Sequence, residues 1–195
     1  MERICVYCGS NKGGNGAFTK AAIKVGSLLA REGIDLVYGA GNVGLMGIVA
    51  DAALGAGGNV IGVIPQALKD KEVAHRGLTE LIVVDSMHER KQIMADRSDA
   101  FIALPGGIGT LEEVIEMFTW LQLRLHVKPI GLLNTAGYYD KLLGFLDHMV
   151  EEKLLKDTQR SMLIVEEDPK VMLQRFREFE PTDTEKWYER GSLAG

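Results

Sequence analysis

Short unbroken apolar runs alternate along this chain with longer stretches in which apolar residues recur every three or four positions. The runs RICVYCG (3–9), IDLVYG (34–39), NVIGVIP (59–65), ELIVVD (80–85), AFIALP (100–105), KPIGLLN (128–134) and MLIVEE (162–167) read as strands, rich in β-branched residues and bounded by turn formers. Between them, residues 17–31 place Phe18, Ala21, Val25, Leu28 and Leu29 on one helical face closed by Gly33, and a helix over about 45–56 ends at Gly57-Gly58. Ser86-x-x-Glu89 has the form of a capping box opening a helix to about residue 98, and a further helix covers about 111–125. Leu142, Leu143, Leu146, Met149 and Val150 mark another, and Asp168-Pro169 supply the N-cap and first position of a last helix carrying Met172, Phe176 and Phe179. The polar stretch 66–78 reads as a loop. Continuously apolar strands joined by helices predict a parallel sheet covered on both faces, a doubly wound α/β fold. One domain is expected over 1–179, with 180–195 as a loosely held tail.

Composition narrows this picture. The 195 residues are 46% apolar, enough for one full core. A net charge of −5 without any Lys/Arg block argues against a nucleic acid or an anionic membrane as partner. The N-terminus enters its first strand with no secretory apolar core, and no run approaches the roughly 18–20 apolar residues of a membrane span, so a cytoplasmic protein is expected. Cys5 and Cys8 form a C-x-x-C pair, but a redox pair wants its first thiolate at a helix N-terminus, and in a strand positions i and i+3 face opposite ways. His75, His88, His126 and His148 lack metal-ligand spacing, so buried inert thiols and no metal are expected.

In open α/β sheets ligands lie beyond the carboxyl ends of the strands, so the residues that follow each strand are informative. Here they are Gly9-Ser10-Asn11, the run Gly39 to Gly44, Met87-His88-Glu89-Arg90-Lys91, and PGGIGTLEE (105–113). GAGNVG matches a dinucleotide fingerprint, yet the strand after it ends in GVIPQ without the ribose-binding acid; otherwise it is a tight packing turn with amides free for phosphate. In HERK, Arg90 and Lys91 stand in the first turn of a helix, opposing its dipole at a cost of a few tenths of a kcal/mol each. They are either satisfied by solvent and surface acids or placed to clamp a phosphate. Gly106, Gly107 and Gly109 let backbone approach a ligand, and a helix starting near Thr110 would aim amides at it. Thr110-x-x-Glu113 is equally a capping box, in which Glu113 would do no more than bond the Thr110 amide.

The combination of PGGIGTLEE with SMHERKQ, VYGAGNVGLMG and the initial VYCGS resembles the LONELY GUY (LOG) family, in unbroken order over roughly residues 3–155. The resemblance implies a Rossmann-like homodimer that hydrolyses the N-glycosidic bond of adenine-type nucleoside 5′-monophosphates, N6-modified or AMP, to free base and ribose 5-phosphate. It places the catalytic pair on Arg90 and Glu113, and substrate contacts on Glu72, Lys91, Gly107, Ile108, Gly109, Thr110, Leu111, Glu112 and Thr119. Gly9, Ser10, Gly41 and Gly106, on the same rim, are added as binding positions. A carboxylate at 113 would stabilise the oxocarbenium-like ribose and direct water, with Arg90 keeping it ionised by proximity. No metal or organic cofactor is required. A label of lysine decarboxylase borne by some family members finds no pyridoxal-phosphate signal here. The competing readings are a nucleotide-binding carrier or sensor without hydrolysis and a dinucleotide oxidoreductase.

Overall fold

The computed structural model of the protein describes residues 1–69 and 74–181. Seven strands form one sheet: β1 (Arg3–Tyr7), β2 (Asp35–Tyr38), β3 (Val60–Pro65), β4 (Glu80–Val84), β5 (Ala100–Ala103), β6 (Ile130–Leu133) and β7 (Leu163–Glu166). All pairings are parallel and the order is β4-β3-β2-β1-β5-β6-β7. The helices are α1 (Gly16–Arg31), α2 (Gly44–Gly55), α3 (Gln66–Lys69), α4 (Met87–Asp96), α5 (Ile108–Gln122), α6 (Asp140–Glu151), α7 (Asp157–Arg160) and α8 (Pro169–Arg177).

Because successive strand residues point to opposite faces, β1 divides its side chains between two cores. Ile4, Val6 and Cys8 pack with Leu29, Val49 and Met172, under α1, α2 and α8. Cys5 and Tyr7 pack with Met94, Met117, Phe118 and Leu146, under α4, α5 and α6. The two thiols are therefore unpaired, buried and on opposite sides of the sheet, as the strand geometry requires. Burial pushes both of them far above the ordinary thiol range. No helix among the described residues is long and apolar enough to cross a membrane.

The expected elements differ from the observed ones at several points. The stretch 66–78, read as a loop, contains the one-turn α3 and an isolated antiparallel bridge from Gly41 to Ala74. Strand β4 is not covered on both faces: as the edge strand it alternates, exposing Leu81 and Val83. Helix α5 begins three residues earlier than its apolar periodicity suggests, since the extended Gly107 acts as N-cap, and it ends where Arg124 takes a left-handed conformation at φ 59°. The 3-10 turn Thr135–Gly137 and α7 carried too little periodicity to be read. Of the expected tail, residues 182–195 lie outside the described residues.

Candidate active site

Strand order reverses between β1 and β5, and the chain leaves these neighbours in opposite directions, opening a crevice at their carboxyl ends. The two exits are tied together: Leu104 N donates to Tyr7 O at 2.9 Å and Gly9 N to Pro105 O at 3.1 Å. A hollow of about 260 Å³ opens there, lined among others by Gly9, Ser10, Met46, Met87, Arg90, Gly107 to Thr110, Glu112 and Glu113.

One wall is the N-terminus of α5. Its N-cap is a glycine with no side-chain cap bond, and the first intrahelical bond is from Leu111 N to Gly107 O. The amides of Ile108, Gly109 and Thr110, which precede that bond, lack helical partners and carry the positive end of the dipole. The glycines here have different causes. A Cβ at Gly106 would meet Thr110 Oγ1 at 2.1 Å, so close packing excludes it. A Cβ at Gly107 or Gly109 would meet nothing within 4 Å among the described residues, and neither residue has a left-handed backbone. Tyr138 braces this turn by donating its hydroxyl to Gly106 O, and Tyr139 does so to Leu104 O at 2.6 Å.

The opposite wall is α4. Ser86 caps it by accepting from Glu89 N at 3.1 Å, while Glu89 reaches back to Asp85 N rather than to Ser86 N. This cap aims Arg90 inward over the ends of β2 and β3, where it is only 8% exposed. Its Nε donates to Val63 O and its Nη2 to Gly39 O, both at 3.2 Å. Lys91 turns the other way. Its ammonium lies 2.6 Å from Glu112 Oε1 and 3.0 Å from Glu116 Oε2. Burial lowers the Lys91 pKa, but the two carboxylates outweigh it and the net shift is upward.

Glu113 is not engaged in a capping box. Thr110 is the third residue of α5, not its N-cap, so Glu113 sits in the second turn with its carboxyl at the hollow. Burial drives that carboxyl up from 4.5 to about 7; Arg90 and Lys91 pull it down, and Glu112 and Glu116 push it up. Arg90 favours the ionised form by proximity, as expected, but burial of the carboxylate outweighs the guanidinium and the net shift is upward.

The fold brings together Gly9, Ser10, Arg90, Gly107, Ile108, Gly109, Thr110, Glu112 and Glu113. Gly106 and Leu111 face an adjoining apolar hollow with Tyr138, Tyr139 and Leu142. Gly41 stands behind the lining, where a Cβ would strike Met46 Cε at 2.5 Å. Thr119 is not brought to the hollow: two turns further along α5, it bonds Ile115 O. Glu72 lies outside the described residues. The turn GAGNVG is packed inside the fold, since a Cβ at Gly44 would strike the Ser10 backbone and the amide that follows the turn, Leu45 N, donates to Gly9 O at 2.9 Å. Met46, Met87, Tyr138 and Tyr139 were not foreseen, because apolar and aromatic residues at helix starts carry no signal that separates lining from core.

A family model described as "Possible lysine decarboxylase" matches residues 46–176. The cytokinin riboside 5′-monophosphate phosphoribohydrolase LOG1 of Arabidopsis thaliana is 46% identical over 181 residues, which is 93% of this chain and 85% of that protein. LOG4 of the same plant is 47% identical over 179 residues, 92% of this chain and 83% of its own. Among solved structures, the molybdenum cofactor binding protein from Rippkaea orientalis superposes with a TM-score of 0.69 at 25% identity, over 91% of this chain and 96% of that one. The molybdenum cofactor carrier protein from Chlamydomonas reinhardtii gives 0.67 at 22% identity over 91% and 99%, a likeness of fold.

Proposed function

This chain belongs to the LONELY GUY (LOG) family of cytokinin riboside 5′-monophosphate phosphoribohydrolases, and we propose that its hollow cleaves the N-glycosidic bond of adenine-type nucleoside 5′-monophosphates. The observation that carries this reading is that one small hollow unites bare helix amides, an inward arginine and a partly buried carboxylate. The α5 amides receive the phosphate, for which the open space at Gly107 and Gly109 leaves room. Arg90 orients the sugar-phosphate. Glu113 faces the ribose as the bond from C1′ to the base nitrogen breaks and its electrons leave with the base. The developing positive charge at C1′ is stabilised by the carboxylate, and water adds its oxygen there, giving up a proton through Glu113. The departing base takes its proton from solvent. Glu112 and Lys91, paired to each other, shape the rim.

The decarboxylase description does not suit the site, whose lining holds no lysine among the described residues to anchor a pyridoxal-phosphate Schiff base. The test of the reaction is incubation with AMP and with an N6-substituted AMP, followed by chromatography. Free base and ribose 5-phosphate are expected from at least one of them. Saturable binding with no base released would instead make the protein a carrier.

A homodimer is part of the proposal. Ile108, Leu123, Leu125 and Val127, along and just beyond α5, are large apolar side chains exposed at 82%, 57%, 67% and 55%. Thr119, on the exposed side of that helix, would contact a substrate only where a second copy brings the two α5 helices together.

A further inference from the structure

We propose that Gly39 is a positioning residue: its carbonyl and its missing side chain together form the seat of the Arg90 guanidinium. The inference rests on the reaction assigned above and extends it to a residue immediately after β2, outside the hollow's lining. Arg90 is buried, and among the described residues no carboxylate makes an ion pair with it. What holds it are two backbone carbonyls, Val63 O on Nε and Gly39 O on Nη2, with the Met87 sulfur 3.7 Å from Nη1. A guanidinium fixed by carbonyl dipoles stays unneutralised, and its remaining donors are free for an anion.

A Cβ added at Gly39 would lie 1.9 Å from Arg90 Nη2, 3.1 Å from Cζ and 3.6 Å from Nε. These are its three nearest neighbours, and all belong to one side chain. Gly39 is not left-handed, so alanine there strains no backbone. Gly44 and Gly47 differ, since a Cβ on either would strike backbone atoms of Ser10 or Asn42. The glycine at 39 thus answers to one requirement, space for a fork that the neighbouring carbonyls orient.

Gly39→Ala should move the guanidinium and leave the fold. Displacing a reacting or positioning group by about 1 Å costs on the order of 100-fold in rate, so kcat/KM should fall 10- to 100-fold with the melting temperature within a few degrees of wild type. The groups that set the ionisation of Glu113 are Arg90 and Lys91, which lower it, and Glu112 and Glu116, which raise it. With Arg90 withdrawn, the acid limb of the pH profile should move to higher pH, a change that a loss of packing would not produce. In an Arg90→Lys background, which lacks the fork, Gly39→Ala should cost several-fold less than it does in wild type. An unchanged kcat/KM in Gly39→Ala, or an undiminished loss in the Arg90→Lys background, overturns the proposal. Should the variant not fold, proton exchange at Arg90 Nη2, the nitrogen that donates to Gly39 O, decides by NMR in the wild-type chain: slow exchange supports the seat and exchange at the rate of a free arginine refutes it. That measurement needs no substrate, so a wild-type protein that releases no base would sink the assigned reaction and leave the seat to be judged separately.

Discussion

Glu113 shows how one side chain can be readable in position and unreadable in state. Its spacing from Thr110 fits a capping box, and no local rule separates that role from a reactive one. The choice fell to the three-residue advance of α5, which moves Thr110 off the cap and turns Glu113 to the hollow. Its ionisation depends on burial and on four charged neighbours from two helices, so it follows from packing rather than spacing. Two outcomes are expected. If the carboxylate is the working form, kcat/KM should rise with pH and level off above about 7; a flat profile between pH 5.5 and 8.5 would remove Glu113 from that role. Glu113→Gln should lower kcat/KM by about 10²- to 10⁴-fold. The stability effect has the opposite sense. A carboxyl whose folded pKa is raised binds its proton more tightly when folded, so stability declines as pH climbs from about 4.5 through about 7, by up to about 3 kcal/mol. Glu113→Gln should therefore melt higher than wild type at pH 8 and show little advantage at pH 4.5, as thermal unfolding at the two pH values would reveal.

At the scale of elements, α5 gives up helical stability at the end that matters. Glycine in its first turn costs about 1 kcal/mol relative to alanine, and none of the described residues occupies the space a methyl group at 109 would take. Gly109→Ala is expected to raise the melting temperature by about 2–4 °C and to weaken turnover of the ribotide, through crowding of the phosphate. A gain in stability with unaltered kinetics would show that the open space serves no ligand. The boundaries of α1, α2 and α8 agree with the periodicity to within a residue or two at most ends, because each is amphipathic or terminated by glycine. The start of α5 was misjudged because an extended glycine N-cap offers no side-chain signature, and Ile108, though apolar, faces outward.

Over the whole molecule, the reversal of strand order beside β1 puts two glycine turns and one capped helix around a common space, although their residues are separated by up to about a hundred positions. The proposed dimer belongs to this scale as well. Sedimentation velocity at micromolar concentration should give twice the chain mass, and Leu123→Glu combined with Leu125→Glu should shift it toward the monomer. A wild-type chain that sediments as a monomer would leave Thr119 with no route to the substrate, given its place two turns along α5 from Thr110.

The sequence by itself determined the parallel α/β architecture and the rim on which the glycine turns and the charged residues after the strands collect, because alternation, capping and turn chemistry act within a few residues. Tertiary structure decided which glycine serves which purpose, that Arg90 rests on carbonyls instead of acids while Lys91 does the reverse, and that Glu113 titrates near neutrality. Those outcomes depend on atoms brought into contact from distant parts of the chain and on the water they exclude. Neither contact nor dehydration can be read from residues in order along a line.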